Sequence, residues 1–345
     1  MYHVDNKYIQ APMKQRTDYY TSSATLTSTL ESNPVIPNAM SQEHQRLRPS
    51  LRRFMLSYAP DWIISGALWA IFWAIDNYIR VSGFKRQFSL SDVSLRYPYA
   101  VNERVGTTAL SFISCGIPFV VQCFVNFLTV QSWWDFHHST LGLVLSLSTT
   151  RAITQLVKVT VGRPRPDLIS RCQPVTGSAD PLFGLSTVDI CTQTVSKILE
   201  DGWKSFPSGH SSMSFAGLGF LAFYLIGKLH LFDTRGYVSK VWICIAPLAG
   251  AMLVAISRTM DYRHHWQDVV GGSTLGLLLA YFSYRQYYPH LALAESHQPY
   301  TTRFEDTKSV EFGGISGTTE PLLNSYDEDD EVISTRRHPR TGIRR

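Results

Sequence analysis

Six long apolar runs dominate the middle of this 345-residue chain. Each is close to the roughly 20 residues that an α-helix needs to cross the hydrocarbon core of a bilayer. They lie at about Trp62–Ile79, Gly106–Val130, Ser139–Val157, Ser211–Leu229, Val241–Ile256 and Val269–Tyr287. We therefore predict an all-α fold, an integral membrane bundle of six transmembrane helices. The buried core of a soluble helical protein is the alternative interpretation of such runs.

Some of these runs contain a charged residue, such as Asp76 or Arg151. A charge inside a bilayer is costly and normally faces the interior of a helix bundle. We therefore expect the spans to pack together as one six-helix membrane domain, residues 56–290. The polar composition of the two flanking segments, 1–55 and 291–345, is typical of disordered tails.

The chain is only weakly basic. Its net charge of +5 comes from 32 basic and 27 acidic residues, and no long basic stretch is interleaved with aromatic residues, so we do not expect a nucleic-acid partner. The residues near Met1 form no apolar segment, so we do not predict a cleavable signal peptide. By the positive-inside rule, the arginines just before the first span predict a cytosolic N-terminus. These are Arg46, Arg48, Arg52 and Arg53.

Two of the five cysteines, Cys172 and Cys191, lie in the long polar segment between the third and fourth spans. They lack the close spacing that zinc sites favour. A disulfide between them would suit a segment that faces an oxidising lumen. Spacing alone does not determine pairing, so the sequence leaves the disulfide open.

Three polar stretches stand at the ends of the predicted spans. Lys158–Asp167 follows the third span, Pro207–His210 precedes the fourth, and Ser257–Asp268 joins the fifth to the sixth. Because successive spans cross the membrane in opposite directions, all three stretches reach the same face. We predict that they form one site at that membrane face.

The cations of these stretches suit a phosphate group. Phosphoryl transfer is catalysed largely by positioning and by neutralising the charge on the phosphoryl oxygens. Lys158, Arg165 and Arg258 supply three cations for that task, and the fork of an arginine matches a phosphate. Ser208 and Gly209 precede an apolar helix, whose N-terminal N–H groups bind anions readily. An ordinary helix cap is the alternative interpretation of this Ser-Gly pair.

The histidines of the same stretches suit nucleophilic and acid–base catalysis. His264 and Asp268 are four residues apart, which places them on one helix face if the sixth helix begins here. A carboxylate bound to one ring nitrogen of His264 would leave the other nitrogen free to attack. His210 could then protonate the leaving alkoxide and later activate water. The adjacent His265 would point elsewhere and is expected to be structural.

We predict neither a metal ion nor another cofactor at this site. Mg²⁺ and Ca²⁺ prefer oxygen ligands. Asp268 is the only well-placed carboxylate among the motif residues, and the three cations would repel a metal ion.

Together, the ordered patterns Lys-x6-Arg-Pro, Pro-Ser-Gly-His and Ser-Arg-x5-His-x3-Asp resemble the type 2 phosphatidic acid phosphatase superfamily. The resemblance extends from about Trp62 to Tyr288 and leaves both tails outside. Within the superfamily, the stretches Arg86–Tyr99 and Asp261–Trp266 are most similar to eukaryotic lipid phosphate phosphatases, especially fungal diacylglycerol pyrophosphate phosphatases.

This resemblance implies a phosphohistidine at His264, an acid–base role for His210 and an orienting role for Asp268, with hydrolysis independent of Mg²⁺. It assigns the phosphate contacts to Lys158, Arg165, Ser208, Gly209 and Arg258. It also implies a catalytic face opposite both termini, lumenal or extracellular if the tails are cytosolic. A disulfide between Cys172 and Cys191 would agree with that orientation.

The expected substrates are phosphatidic acid, lysophosphatidic acid and diacylglycerol pyrophosphate, with diacylglycerol as the product from the first. A polyisoprenyl pyrophosphate or a sphingoid-base phosphate would suit the same chemistry. A non-catalytic lipid-phosphate binder is the alternative from another class. Vacuolar, Golgi, endoplasmic-reticulum and plasma membranes all fit the sequence, which leaves the oligomeric state open.

The segment 167–204 is long for a connection between two spans. It lies between the first and second motifs, so it must be over or beside the site. A lid or headgroup filter is one interpretation and a simple surface insertion is the other, and the sequence does not choose between them.

Overall fold

The computed structural model of the chain describes residues 51–79, 83–233, 235–300 and 303. These residues form helices and turns, with two isolated bridges and no β-strand among them, which confirms the all-α prediction. The α-helices, in chain order, are α1 Leu51–Ala74, α2 Thr107–Leu128, α3 Trp133–Val161, α4 Leu168–Cys172, α5 Ser196–Asp201, α6 Gly209–Lys228, α7 Val238–Met260 and α8 Trp266–Tyr287. A π-helical turn, Ile75–Ile79, extends α1, and another, Phe112–Gly116, interrupts α2.

Six of these helices are long, and they correspond to the six predicted runs. Within the described residues, α2, α6 and α7 have both the length and the apolar composition needed to cross a membrane. Membrane character is therefore shown by three helices, while a crossing by all six stays a prediction.

The helical domain is longer at both ends than predicted. α1 begins at Leu51, inside the segment 1–55 that was expected to be a tail. After α8, residues 294–297 form a 3₁₀ turn, and Tyr300 N–H donates to the Tyr287 carbonyl. These contacts hold residues that composition alone assigned to a disordered tail. The remainder of both predicted tails, apart from Arg303, lies outside the described residues.

Helix α6 is the centre of the bundle and packs against α3, α7 and α8. Its glycines allow unusually close backbone contacts. A Cβ atom added at Gly217 would lie 1.8 Å from the Ser114 carbonyl oxygen of α2. One added at Gly276 of α8 would lie 2.2 Å from the Ser212 carbonyl oxygen. Small residues serve this purpose in membrane helices, where tight packing replaces the hydrophobic effect as the main force between helices.

A buried carboxylate, Asp135 at the start of α3, ties the bundle together at one end. It accepts hydrogen bonds of 2.9 Å from each of Asn126, Tyr224 and Tyr288. It also forms an ion pair with Lys228 of α6. Asn126 comes from α2, Tyr224 and Lys228 from α6, and Tyr288 from the end of α8, so Asp135 fixes α2, α3, α6 and α8 relative to one another. A buried charge is tolerated when it is paired and hydrogen-bonded in this way.

At the other end, the segments 83–106 and 162–208 form a cap with its own small apolar core. Phe88, Leu95, Leu168, Cys172 and Trp203 are buried in it. A disulfide joins Cys172 to Cys191, with the two Cα atoms 4.6 Å apart. The structure thus supplies the pairing that the sequence left open.

The close contact at Gly217 generates a test of the packing. We expect Gly217→Ala to destabilise the protein by about 1–3 kcal/mol, because the added methyl group forces α2 and α6 apart. The measurement is the apparent midpoint of thermal unfolding in detergent, which should fall by several degrees. Gly66→Ala is the matched control, since nothing lies within 4 Å of a Cβ atom added there. Equal midpoints for the two variants would contradict the proposed packing.

Candidate active site

The three predicted motif stretches meet at the capped end of the bundle. Lys158 lies in the last turn of α3, and Gly209 and His210 begin α6. Arg258 lies in the last turn of α7, and His264 is in the short loop before α8. These residues and Arg165 line one cavity of about 570 Å³. The structure therefore brings residues of all three stretches together around one cavity.

Two of the eight predicted site residues, Ser208 and Asp268, are not among the residues that line this cavity. Both are fully buried behind it. Ser208 caps α6, and its hydroxyl oxygen accepts from the backbone N–H and the hydroxyl of Ser211, at 3.4 and 3.0 Å. The helix-cap interpretation of the Ser-Gly pair thus describes what the Ser208 side chain does in this structure.

His264 is held in one orientation by a backbone carbonyl. Its Nδ1 atom lies 2.7 Å from the Ser205 carbonyl oxygen. A carbonyl can only accept, so Nδ1 carries the proton and the lone pair resides on Nε2. The ring is nearly buried and lines the cavity. This is the tautomer that leaves one ring nitrogen available for nucleophilic attack.

Burial, followed by the charges of Arg165 and Lys158, holds the pKa of His264 well below its usual value. Both causes disfavour the imidazolium ion, the first by loss of hydration and the second by repulsion. His264 is therefore neutral at physiological pH, as a nucleophile must be.

Asp268 does not contact His264 as the four-residue spacing suggested. Helix α8 begins at Trp266, so His264 precedes the helix and the pair does not share a helix face. The shortest distance from His264 Nδ1 to the Asp268 carboxylate is 4.0 Å, too long for a hydrogen bond. Asp268 instead accepts from the Ser205 hydroxyl at 2.5 Å. Its influence on His264 passes through Ser205, whose carbonyl receives the His264 proton.

The remaining contacts of Asp268 fix the surroundings. Its carboxylate accepts from Arg163 at 2.6 Å and from the His265 backbone N–H at 3.0 Å. His265 is the N-cap residue of α8 and forms a reciprocal capping box with Asp268. The structural role predicted for His265 agrees with this arrangement.

His210 stands at the first turn of α6. Its Nε2 atom lies 3.1 Å from the Val105 carbonyl oxygen and 3.8 Å from a carboxylate oxygen of Glu103. The carbonyl contact places a proton on Nε2 and leaves Nδ1 as the acceptor of the neutral ring. A histidine in this environment can exchange a proton with a group bound in the cavity.

Lys158 lies against the start of α6. A Cβ atom added at Gly209 would be 3.2 Å from Lys158 Nζ. The lysine charge and the N-terminal end of α6 therefore face the same space. Both features favour an anion, one through its full charge and the other through its N–H groups and dipole.

The two motif arginines are buried and held by carboxylates. Arg165 donates to Asp201 at 2.9 Å and to the Arg263 carbonyl at 3.4 Å. Arg258 donates to Glu103 at 2.8 Å and to Asp261 at 3.1 Å. Each guanidinium is therefore fixed in direction, and little conformational freedom remains to be lost when an anion binds.

Burial raises the pKa of Asp201, but the charges of Arg165 and Arg171 outweigh it and hold the pKa well below its usual value. Asp201 is therefore an anion that offsets part of the positive charge of the cavity. Arg171 also donates to it, at 3.1 Å.

Sequence reasoning missed several residues that shape the site. Glu103 and Asp201 come from connecting segments with no periodic pattern, so no signal marked them. Arg163 and Arg263 lie inside the recognised motif stretches and could have been suspected from that position. The segment 167–204 contributes Arg171, Lys197, Ile198, Asp201 and Lys204 to the cavity wall. The segment therefore lies beside the site and forms part of its wall.

The fold and this cavity define a helical membrane protein with a cation-lined site that holds two histidines. Comparison with known proteins identifies the family. The model of the PAP2 superfamily matches residues 139–291. Lipid phosphate phosphatase 2 of Arabidopsis thaliana is 42% identical over 229 residues, which cover 66% of this chain and 77% of the relative. This chain belongs to the PAP2 superfamily, as its three motifs indicated.

Fungal relatives are similar over most of the same region. Diacylglycerol pyrophosphate phosphatase 1 of Saccharomyces cerevisiae is 40% identical over 213 residues, 60% of this chain and 72% of the relative. Probable diacylglycerol pyrophosphate phosphatase 1 of Schizosaccharomyces pombe is 42% identical over 209 residues, with 60% and 74% coverage. No solved structure matches this chain.

The charges around His264 generate a pH prediction. Removal of a cation raises the pKa of His264, so the neutral nucleophile is lost at a higher pH as the solution is acidified. Arg165→Gln should therefore move the acidic limb of the kcat/KM profile to higher pH. It should also lower the maximal rate by about 100-fold, since a charge that stabilises the transition state is lost.

The profiles are measured for both proteins on one lipid phosphate, so that the ionisation of the substrate is common to them. Arg235→Gln, at an exposed arginine in the loop between α6 and α7, is the control. A limb that stays in place or moves to lower pH in Arg165→Gln would contradict the proposed influence of Arg165 on His264.

Proposed function

We propose that this chain is an integral membrane lipid phosphate phosphatase that hydrolyses phosphatidic acid, diacylglycerol pyrophosphate and lysophosphatidic acid without a metal ion. The names of its relatives support the substrate class. The observation that carries the proposal is the orientation of His264. Its Nδ1–H is bound to the Ser205 carbonyl, which leaves Nε2 as a nucleophile in a cavity lined by Lys158, Arg165 and Arg258.

The reaction proceeds in two steps. In the first, the Nε2 lone pair of His264 attacks phosphorus, and the bond from phosphorus to the lipid oxygen breaks. His210 acts in this step as the imidazolium, which carries a second proton on Nδ1 once the phosphate anion is bound. It gives that proton to the departing alkoxide and returns to the neutral ring, so that phosphatidic acid yields diacylglycerol. The three cations neutralise charge on the phosphoryl oxygens throughout, which is the main contribution a protein makes to this chemistry. Gly209 contributes a backbone N–H at the start of α6, while Ser208 holds that turn in place.

In the second step, His210 acts as the base. It takes a proton from a water molecule, whose oxygen attacks the phosphohistidine and releases inorganic phosphate. The bond between phosphorus and Nε2 breaks, and its electron pair returns to His264. Asp268 positions His264 through Ser205 in both steps, so its role is indirect.

The cavity wall supports a lipid substrate. Trp69 of α1, Leu110 of α2 and Met213 of α6 line the cavity beside its charged groups. These side chains come from three helices of the bundle, so the cavity continues from the cationic site toward the apolar part of the domain. Acyl chains would lie along this apolar wall while the phosphate reaches His264.

We further propose that all six long helices cross the membrane. Apolar side chains on the outer faces of α1, α2 and α7 support this, because many of them are exposed in the isolated chain. Examples are Ile63 at 68%, Phe127 at 70% and Trp242 at 71%. Such faces are unfavourable in water and suited to lipid tails. A bundle of this kind places the site at the membrane interface.

The site would then face the lumen or the cell exterior, with both termini in the cytosol. The four arginines that precede the first apolar run in the sequence support this orientation. So does the disulfide between Cys172 and Cys191, since disulfides persist in oxidising compartments and this one lies on the catalytic side. A vacuolar, Golgi, endoplasmic-reticulum or plasma membrane would satisfy both arguments.

The test is phosphate release by the purified protein in detergent micelles, with EDTA present throughout. We expect release from phosphatidic acid and diacylglycerol pyrophosphate, and a loss of at least about 1,000-fold in His264→Ala, because the nucleophile is absent. His290→Ala, at an exposed histidine after α8, is the matched control and should retain activity. Release that requires Mg²⁺, or that persists in His264→Ala, would contradict the mechanism. Phosphate release only from a polyisoprenyl pyrophosphate or a sphingoid-base phosphate would keep the reaction but contradict the proposed lipid substrates.

A further inference from the structure

Glu103 places a carboxylate inside the site, although it belongs to none of the three motifs. One of its oxygens is 2.8 Å from Arg258 Nη1, and the other is 2.9 Å from Arg263 Nη2. The oxygen that binds Arg258 also lies 3.8 Å from His210 Nε2. Glu103 is thus an internal anion that connects a phosphate-binding arginine to the acid–base histidine.

This is the position that an oxygen of the substrate must approach. The proposed mechanism requires Arg258 to bind a phosphoryl oxygen, and it requires His210 to be near the oxygen that leaves. In the described structure, the Glu103 carboxylate already binds Arg258 and lies next to His210. A bound phosphate and this carboxylate would therefore compete for the same donor.

The contact with Glu103 is more easily exchanged than the other contacts of Arg258. The side chain of Asp261, the second carboxylate on Arg258, is 1% exposed, whereas that of Glu103 is 25% exposed. Arg258 Nε also donates to the Ser257 hydroxyl at 3.0 Å. Asp261 and Ser257 therefore keep the guanidinium in its direction when Glu103 moves away.

The backbone around Glu103 is anchored independently of its carboxylate. The Arg104 N–H donates to Asp261 at 2.9 Å, and the Val105 carbonyl accepts from His210. The Ala100 carbonyl accepts from Arg263 at 3.0 Å. A rotation of the Glu103 side chain is therefore enough to free Arg258, and the segment need not unfold.

We propose that Glu103 is a specificity-determining residue, a tethered competitor that admits dianionic phosphate groups and excludes singly charged phosphodiesters. The proposal rests on the proposed function and adds the charge class of the headgroup to it. A phosphate monoester has a second pKa near 6 and is largely a dianion at neutral pH. It therefore gains more from the cations than a carboxylate does. A phosphodiester carries one charge, as Glu103 does, but lacks the advantage of being tethered at the site.

Discrimination between phosphate monoesters and phosphodiesters matters for an enzyme that lies in a lipid bilayer. Diester phospholipids form the surrounding bilayer and outnumber any lipid phosphate monoester. A built-in competitor lowers the apparent affinity of every ligand that needs Arg258 by the same factor. The weakly held diester then falls below the affinity needed to occupy the site, whereas the more strongly held dianion still binds.

The experiment measures binding of inorganic phosphate to the detergent-purified protein by isothermal titration calorimetry. Without the competing carboxylate, Glu103→Gln should bind phosphate about tenfold more tightly, the size expected for one charge-assisted hydrogen bond. Glu103→Asp retains the charge on a shorter side chain and should show a smaller gain. Glu295→Gln, the same substitution at an exposed site after α8, is the matched control.

A second arm adds phosphatidylglycerol, an anionic phosphodiester lipid, to the phosphatidic acid assay. It should inhibit Glu103→Gln and leave the wild type unaffected at the same mole fraction. Unchanged or weaker phosphate binding in both Glu103 variants would overturn the proposal, and would assign Glu103 to support of the arginines alone. If Glu103→Gln does not fold, the phosphate affinity of Glu103→Asp tests the proposal: tighter binding than in the wild type supports it, and unchanged or weaker binding overturns it.

The two arms separate this inference from the proposed function. Phosphate binding does not depend on turnover, so a wild type that hydrolyses no lipid phosphate would refute the function without deciding the role of Glu103. An active wild type with unchanged phosphate affinity in the variants would refute only the competitor role.

Discussion

The site depends on one fully buried carboxylate, that of Asp268. Its oxygens join Arg163 from the first motif, Ser205 from the segment before the second, and His265 from the third. These segments lie far apart in sequence, and one buried charge holds them together. Removal of such a charge from a network would leave several partners without a hydrogen bond, so its contribution exceeds that of any single contact. The orientation of His264 follows from it, because the carbonyl of the same Ser205 accepts the Nδ1 proton.

The rest of the site balances a strong positive charge with few anions. Lys158, Arg165 and Arg258 must stay charged and directed at one cavity, yet they are removed from bulk water. Asp201 and Glu103 offset part of that charge without cancelling it. Asp201 holds Arg165 and Arg171, while Glu103 holds Arg258 at the place where the substrate is expected. The site thus remains attractive to an anion, and it also stays ordered in the absence of one.

Much of this arrangement could be predicted from the sequence. The apolar runs predicted the six long helices of the described residues, and the alternation of spans placed Lys158, Arg165, His210 and His264 at one end. Such predictions depend only on helix length and on the order of the motifs. They do not depend on the detailed geometry of any loop.

The other features of the site could not be predicted, because they depend on where each helix begins and on how the connecting segments pack. Helix α8 begins after His264, and periodicity does not fix the first turn of a helix. The predicted contact between His264 and Asp268 therefore became an indirect one through Ser205. Glu103 and Asp201 come from connections without a pattern, and their role appears only when the cap folds over the bundle. Residues 294–297 have a polar composition, yet Lys228 donates to the His297 carbonyl and thereby holds them to the domain.

The central claim is that His264 carries the phosphoryl group. The most direct measurement mixes enzyme and phosphatidic acid in a single turnover, quenches with alkali, and locates the phosphate by mass spectrometry of peptides. The account predicts a phosphate on His264 of the wild type and no phosphopeptide in His264→Ala. Phosphate on another residue, or release of inorganic phosphate with no covalent phosphoenzyme in either protein, would contradict it.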